Sequence, residues 1–402
     1  MSRNPAAPLK IGLYADKFQP GTFGGVDSYF VSLVTALARH APQHQYTVLA
    51  QARNYDLLQA QFGPLGVQVH LLNTRQPVKR LLRGVRRLIP GVAKGETAQI
   101  NALGFDVVSF PRNEVYVRGL RAPVALHLFD IQYEYYPQFF PPAALDNIRR
   151  RYRESAARAD LIVAAAEFSR QTFIEKLNTP PEKVTVVYPG VPEDWQTPTP
   201  DAIEAVRARY GLPDDFLFYP ANPWNHKNHA RLLAALRVIR DQTGRKLPIV
   251  FTGRLHENSP ANLQQLALAA RVDDQVYDLG FVPGDDLPAL YGAARFMVFP
   301  SLFEGFGLPL LEAMARGCPV ACADATCLPE IARGAALLFD PLDVDAIAAA
   351  VLRLWDDDAL RADLCAKGLV RAREFGWQAA IEKLLGAYQS LVGRARLHPD
   401  TR

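Results

Sequence analysis

Hydrophobic and polar positions along the chain fall into two alternating rhythms. Short, nearly continuous apolar runs occur at residues 9–15, 46–50, 67–72, 106–110, 123–128, 160–164 and 184–188, and again at 216–220, 248–253, 276–282 and 294–299. Such runs, bounded by turn residues, predict strands buried on both faces, as in a parallel sheet. Between them apolar residues recur at helical spacing: Tyr29, Leu33 and Leu37; Leu232, Leu233, Leu236 and Ile239; Leu310, Leu311 and Met314; then Val344 to Trp355 and Trp377 to Val392. Strand and helix in alternation predict a doubly wound α/β chain. Pro189, Pro192, Pro198 and Pro200 mark a linker. The reading is a first domain over residues 1–195, a second over 196–375 and a terminal helical segment over 376–402, since 402 residues exceed one hydrophobic core.

The densest chemistry follows the run at 294–299. Pro300 and Ser301 end the strand, Gly305 and Gly307 flank Phe306, and Pro309 takes the place of a first helical residue. The glycines allow positive φ or a close approach of backbone to a ligand. Free N–H groups at the start of the helix favour a phosphate. Glu304 and Glu312 frame the turn and can accept hydrogen bonds from hydroxyl groups. Phosphate donors beside hydroxyl acceptors suit a sugar nucleotide. Upstream, Gly24-Gly25 sits between a strand and a helix, a phosphate-loop outline that lacks the G-x-G-x-x-G spacing and the following acidic residue of nicotinamide sites. Lys227-Asn228 stands at a helix start, where an ammonium favours a diphosphate.

The string Glu304-Gly305-Phe306-Gly307-Leu308-Pro309 through Glu312-Ala313-Met314 resembles the E-x7-E signature of glycosyltransferase family 4, the retaining GT-B enzymes. Gly317-Cys318-Pro319-Val320, Leu328-Pro329-Glu330 and Ala335 to Pro341 continue the likeness, which covers most of the chain. It implies two Rossmann-like parallel-sheet domains facing a cleft, the first for an acceptor and the second for a nucleotide-sugar, with the last helix crossing back to the first domain. It implies that Glu304 holds the sugar, Glu312 the ribose and Lys227 with Asn228 the diphosphate. Gly305, Phe306, Gly307 and Leu308 then form the donor turn, Phe281-Val282 meets the nucleobase through its backbone, and Gly24-Gly25 lies beside the donor sugar.

Two positions depart from the pattern. The family's histidine before Asp130 is Phe129 here, and His127 lies two residues earlier, on the same face of an extended strand and roughly 6–7 Å further back. Asp130 and His127 are both candidates for the polar group beside the sugar. The arginine often found five residues before the lysine is Asn222, which concentrates charge stabilisation on Lys227.

The expected reaction is retaining transfer of a hexose, mannosyl or similar, from a GDP-, UDP- or dTDP-sugar to a glycan or lipid-linked acceptor in surface polysaccharide or glycolipid synthesis, with no cofactor and no metal. Asp343-Val344-Asp345 has the form of a metal motif, but at a helix start it reads as a cap. A nucleotide-sugar epimerase or hydrolase of the same fold, and a sugar-nucleotide-binding protein with weakened catalysis, remain alternatives.

Composition changes the picture in one place. The net charge of +4 divides into about +7 through residue 197 and about −3 beyond it. No acidic residue occurs between Asp56 and Glu96, and Lys79, Arg80, Arg83, Arg86 and Arg87 lie among Leu81, Leu82, Val85, Leu88 and Ile89. Two readings stay open: a helix lying on an anionic membrane, or a surface helix with its apolar stripe in the core. Aromatic residues interleaved with the basic ones are missing, which argues against nucleic acid. Four cysteines without zinc spacing read as buried thiols. With no apolar run long enough to span a bilayer and no signal peptide, the expectation is a cytoplasmic protein, and on the first of the two readings one peripheral on the inner face of the membrane.

Overall fold

A computed structural model describes residues 7–15, 18, 24–72, 94–191, 197–254 and 262–397. The basic stretch Lys79 to Arg87 lies outside the described residues, as do residues 19–23 just before the Gly24-Gly25 pair.

Two all-parallel sheets organise the chain. The first has seven strands: β1 (Lys10–Tyr14), β2 (Gln45–Ala50), β3 (Gln68–Leu71), β4 (Val107–Phe110), β5 (Val124–Leu128), β6 (Leu161–Ala164) and β7 (Val184–Val186), in the order β3-β2-β1-β4-β5-β6-β7. The second has six: β8 (Leu217–Pro220), β9 (Ile249–Thr252), β10 (Val276–Asp278), β11 (Phe296–Phe299), β12 (Val320–Ala323) and β13 (Leu337–Phe339), in the order β10-β9-β8-β11-β12-β13. The central strands are buried along their whole length, which is why they read as continuous apolar runs. In each sheet the order reverses beside the first strand, between β1 and β4 and between β8 and β11. Such switch points open a crevice at the carboxyl ends of the strands, where ligands bind in doubly wound folds.

The carboxyl edges of the two sheets meet. Residues after β5 and β6 touch residues after β11 and β12, so the switch point of the second lobe faces the first lobe. The last helix, Trp377–Leu397, belongs structurally to the first lobe. It buries Trp377, Ile381, Leu384, Tyr388 and Leu391 against Leu33, Val34 and Leu37 of the Gly24–His40 helix. Each such large apolar side chain contributes about 1.5–3 kcal/mol when fully buried. Gly190, at the exit from the first lobe, is the residue that lets Trp377 close in: a Cβ there would stand 2.6 Å from the Trp377 backbone nitrogen.

Candidate active site

The loops after β8 and β11 are bonded into one unit. Leu302 N–H donates to His226 O (2.7 Å), and the buried Tyr219 hydroxyl donates to Lys227 O (2.7 Å) and lies 3.2 Å from Ser301 Oγ. This brings Lys227 Nζ to 2.6 Å from Glu304 Oε1, with the two side chains only 17% and 11% exposed. The cation expected for the diphosphate and the carboxylate expected for the sugar therefore form an ion pair with each other. Behind Glu304, Gly307 takes φ +84° and caps the helix Leu308–Ala315, with Pro309 in its first turn. Pro309 carries no N–H, and the Leu310 N–H donates to Gly307 O (2.9 Å).

Gly305 is required for a reason the sequence did not reveal. A Cβ there would sit 2.2 Å from Phe129 O of the first lobe. The close approach it permits is between lobes. Asp130, next to Phe129, lies against the Glu304 turn, its Cβ 3.2 Å from where a Cβ on Gly305 would stand: burial pushes its carboxyl up and the Glu304 carboxylate adds to this, while the Gln132 N–H and the Lys227 ammonium oppose the rise. Two carboxylates and one ammonium thus share the seam. Tyr136 of the first lobe donates to Leu302 O (3.3 Å) and Tyr135 packs on Phe303 (5.1 Å), so an aromatic segment lies along the edge of the seam.

Glu312 sits one turn into the helix. Its Oε2 accepts from the fully buried Tyr291 hydroxyl at 2.8 Å. Burial raises the Glu312 carboxyl; the Tyr291 bond and the Arg316 charge counter it. Phe281 is 57% exposed at the end of the second sheet, with the Arg254 guanidinium 4.7 Å from its ring centroid. Val282 beside it is buried, and Gly280 turns the chain out of β10 at φ +61°.

The other expected residues make the following contacts within the protein. Asn228 is buried at φ +61°, and its Nδ2 donates to Pro300 O (3.0 Å) and Pro341 O (2.8 Å): it ties loops together and fixes Lys227 beside it. Asn222 Oδ1 accepts from Arg254 N–H (2.8 Å). Phe306 and Leu308 pack into the second-lobe core. Gly24 and Gly25 open the first helix. Asp343 Oδ1 accepts from Asp345 N–H (2.8 Å) and Ala346 N–H (3.2 Å), a helix cap as expected.

His127 corrects the sequence reading. It is 1% exposed; Nδ1 lies 2.7 Å from the Tyr29 hydroxyl, and Nε2 lies 3.1 Å from both Ser109 Oγ and the Tyr388 hydroxyl. Burial drives its imidazole down to about 3. With both ring nitrogens engaged it locks the last helix to the first sheet and does not face the seam. Position 130, and not 127, carries the polar group there. Three residues outside the expected site join it: Tyr291, Arg254 and Ser169, whose Oγ donates to Gly305 O at 2.8 Å. Their signals are weak in sequence, because a tyrosine at helical spacing and a serine in the first turn of a helix are usually structural.

Comparison with known proteins agrees with the geometry. Glycosyltransferase Family 4 matches residues 23–195 and Glycosyl transferases group 1 matches residues 203–369. The O-antigen chain mannosyltransferase B of Escherichia coli is 34% identical over 272 residues, 67% of this chain and 71% of that protein. The serotype-specific mannosyltransferase WbdA of the same organism is 31% identical over 252 residues, 61% of this chain and 31% of the relative. Among solved structures, Anabaena HepE in complex with UDP and glucose aligns at TM-score 0.76 and 19% identity, covering 95% of this chain and all of that one. WaaG, a glycosyltransferase involved in lipopolysaccharide biosynthesis, aligns at TM-score 0.67 and 18% identity, covering 93% and 98%. The fold and the matched families together define a glycosyltransferase of the two-lobed GT-B class. Within that class the chain belongs to glycosyltransferase family 4.

Proposed function

We propose that the protein is a retaining, metal-independent hexosyltransferase, a mannosyltransferase in the first instance, that extends a glycan or lipid-linked acceptor during cell-surface polysaccharide synthesis on the cytoplasmic side of the membrane. The observation that carries this is the Lys227–Glu304 pair at 2.6 Å, set at the switch point of the second sheet, with Asp130 of the first lobe against the Gly305 backbone beside it. The mannosyl assignment is supported by relatives that are mannosyltransferases.

In this reading the donor's diphosphate takes Lys227 and the Leu308 N–H at the start of the Leu308–Ala315 helix. The bond from the anomeric carbon to the diphosphate oxygen breaks as the bond to the acceptor oxygen forms, and the acceptor proton passes to the departing diphosphate. Positive charge grows on the sugar and negative charge on the leaving group. Preorganised donors at the leaving oxygens are each worth about 3 kcal/mol in such sites. Glu304 accepts from sugar hydroxyls, Glu312 accepts from the ribose, and Asp130 presents a carboxylate from the acceptor lobe. No step calls for a metal or a cofactor.

The test is a thermal-shift panel of GDP-, UDP- and dTDP-linked hexoses on the full chain, because a ligand of the folded state raises its melting point. Transfer assays with mannan-type oligosaccharide and lipid-linked acceptors follow, with and without chelator. The anomeric configuration of the product is read by NMR. An inverted product, or loss of rate with chelator, refutes the retaining or metal-free assignment. Release of free sugar or epimer from the donor alone, with no transfer to any acceptor, refutes the transferase.

A further inference from the structure

Away from the donor groups, one carboxylate of the second lobe is committed to the first. Glu330 lies in the short helix Leu328–Ala332. Its Oε1 accepts from the Glu167 backbone N–H (2.8 Å) and from the Tyr188 hydroxyl (2.7 Å), and its Oε2 accepts from the Phe168 N–H (3.0 Å). Glu167 and Phe168 open the eleven-residue helix Glu167–Leu177, whose capping position is Ala166, a residue with no side-chain oxygen to offer. The unpaired N–H groups and the positive end of this helix are thus satisfied from the opposite lobe. Arg371 holds the carboxylate's own backbone in place, donating to Glu330 O (3.0 Å) and Ile331 O (2.9 Å).

Both ends of this contact run directly to the reacting groups. In the second lobe, Thr326 Oγ1 accepts from Glu304 N–H (3.2 Å) and Cys327 Sγ donates to Glu304 O (3.3 Å), in the segment that leads into Glu330. In the first lobe, Ser169, two residues beyond Glu167, donates to Gly305 O (2.8 Å) and lies 3.3 Å from Phe129 O, the residue before Asp130. Any shift of Glu330 against the Glu167–Leu177 helix is a shift of Glu304 against Asp130.

We propose that Glu330 is a positioning residue, a cross-lobe clasp that sets the register between the Glu304 turn and Asp130 and so the spacing at which donor and acceptor meet. The inference rests on the transfer reaction proposed above. Misplacing reacting groups by about 1 Å from a distant site typically costs on the order of 100-fold in rate.

Glu330→Ala in the full chain is therefore expected to lower kcat about 10- to 100-fold while the Kd for a nucleoside diphosphate, held by the second lobe, stays within about twofold. Small-angle scattering should show a more open particle. The double variant Glu330→Ala with Ala166→Ser separates the clasp from a mere cap, because serine gives the helix an oxygen of its own. Its melting temperature should recover and its kcat should not. Full recovery of kcat in the double variant would reduce Glu330 to a helix cap and overturn the proposal. An unchanged kcat or an unchanged particle in the single variant would overturn it as well. If the wild-type chain binds no nucleoside diphosphate, the transfer reading fails instead, and the scattering comparison alone decides the clasp.

Discussion

Glu304→Gln should move donor-site affinity and turnover in opposite directions. The bond from Lys227 Nζ to Glu304 Oε1 at 2.6 Å joins two charged groups that are mostly out of solvent. Hydrogen bonds between charged groups contribute about 1.5–3 kcal/mol, neutral ones about 0.5–1.5. Replacing the carboxylate by an amide of the same shape leaves one neutral oxygen for the ammonium and frees about 1–1.5 kcal/mol of attraction, after allowance for the residual solvent exposure of the pair. The diphosphate is the anion that collects it. A nucleoside diphosphate without its sugar should bind Glu304→Gln about tenfold more tightly than wild type. Turnover should nevertheless fall about 100-fold or more, because the acceptor for the sugar hydroxyls is weakened where charge develops. Lys227→Ala serves as the control, lowering both quantities, turnover again by about 100-fold or more. Calorimetric titration with GDP, UDP and dTDP, paired with initial rates at saturating donor, measures both signs. Unchanged or weaker diphosphate binding in Glu304→Gln, or near-normal turnover in either variant, would refute the reasoning.

Two further outcomes follow from buried groups near the seam. Tyr291→Phe removes only the hydroxyl that donates to Glu312 at 2.8 Å, a bond to a charged acceptor worth about 1.5–3 kcal/mol; with about 1–1.4 kcal/mol of that acting through the orientation of the carboxylate, a nucleoside diphosphate should bind about fivefold to tenfold more weakly. Its 2′,3′-dideoxy analogue should lose much less; equal losses would remove the ribose from Glu312. His127 has its imidazole driven from 6.5 to about 3 by burial, so the unfolded chain takes a proton that the folded chain refuses. Its contribution is fully present above pH 6.5 and declines by about 1.4 kcal/mol per unit as pH falls from there towards 3. Thermal unfolding of wild type and His127→Gln at pH 7, 5.5 and 4.5 should show the steeper decline in wild type. Turnover of the variant at pH 7 should stay near normal, and a collapse of turnover with intact stability would return His127 to the seam.

Strands buried on both faces were legible because a parallel interior strand has no polar side to show: the runs at 216–220, 248–253 and 294–299 coincide with β8, β9 and β11 to within two residues at either end. Two strands were passed over for a physical reason. In β12 the segment Val-Ala-Cys-Ala is small-residue sequence without a β-branched run, and β13 has only three residues. The run at 276–282 is strand only to Asp278, since Gly280 at φ +61° turns the chain away. The pairing of Lys227 with Glu304 was legible as two separate expectations, a cation at one helix start and a carboxylate at another turn. Their mutual contact depends on the Leu302–His226 backbone bond, which leaves no trace in side-chain chemistry. His127 shows the limit most plainly. Strand alternation puts it on the same face as Phe129, but the partner that closes over its ring is Tyr388, 261 residues away, on a helix whose docking follows from burial and not from local pattern.

The same limit explains why the glycine turn was read correctly in outline and incompletely in cause. Gly307 needs its left-handed φ to start the helix, which is a local requirement and visible in the sequence. Gly305 needs to be glycine because Phe129 O of the other lobe occupies the space of a Cβ, and Ser169 of that lobe bonds its carbonyl. The turn that carries Glu304 is therefore shaped from both sides of the seam. A second lobe on its own would keep Lys227, Glu312 and Tyr291, the proposed nucleotide half of the site, and the Thr326 and Cys327 bonds to Glu304, but it would lose the Ser169 and Phe129 contacts on Gly305 next to it. Donor affinity should thus be chiefly a property of one lobe and transfer a property of the joint. That division follows from where the hydrogen bonds run, whichever sugar the donor carries.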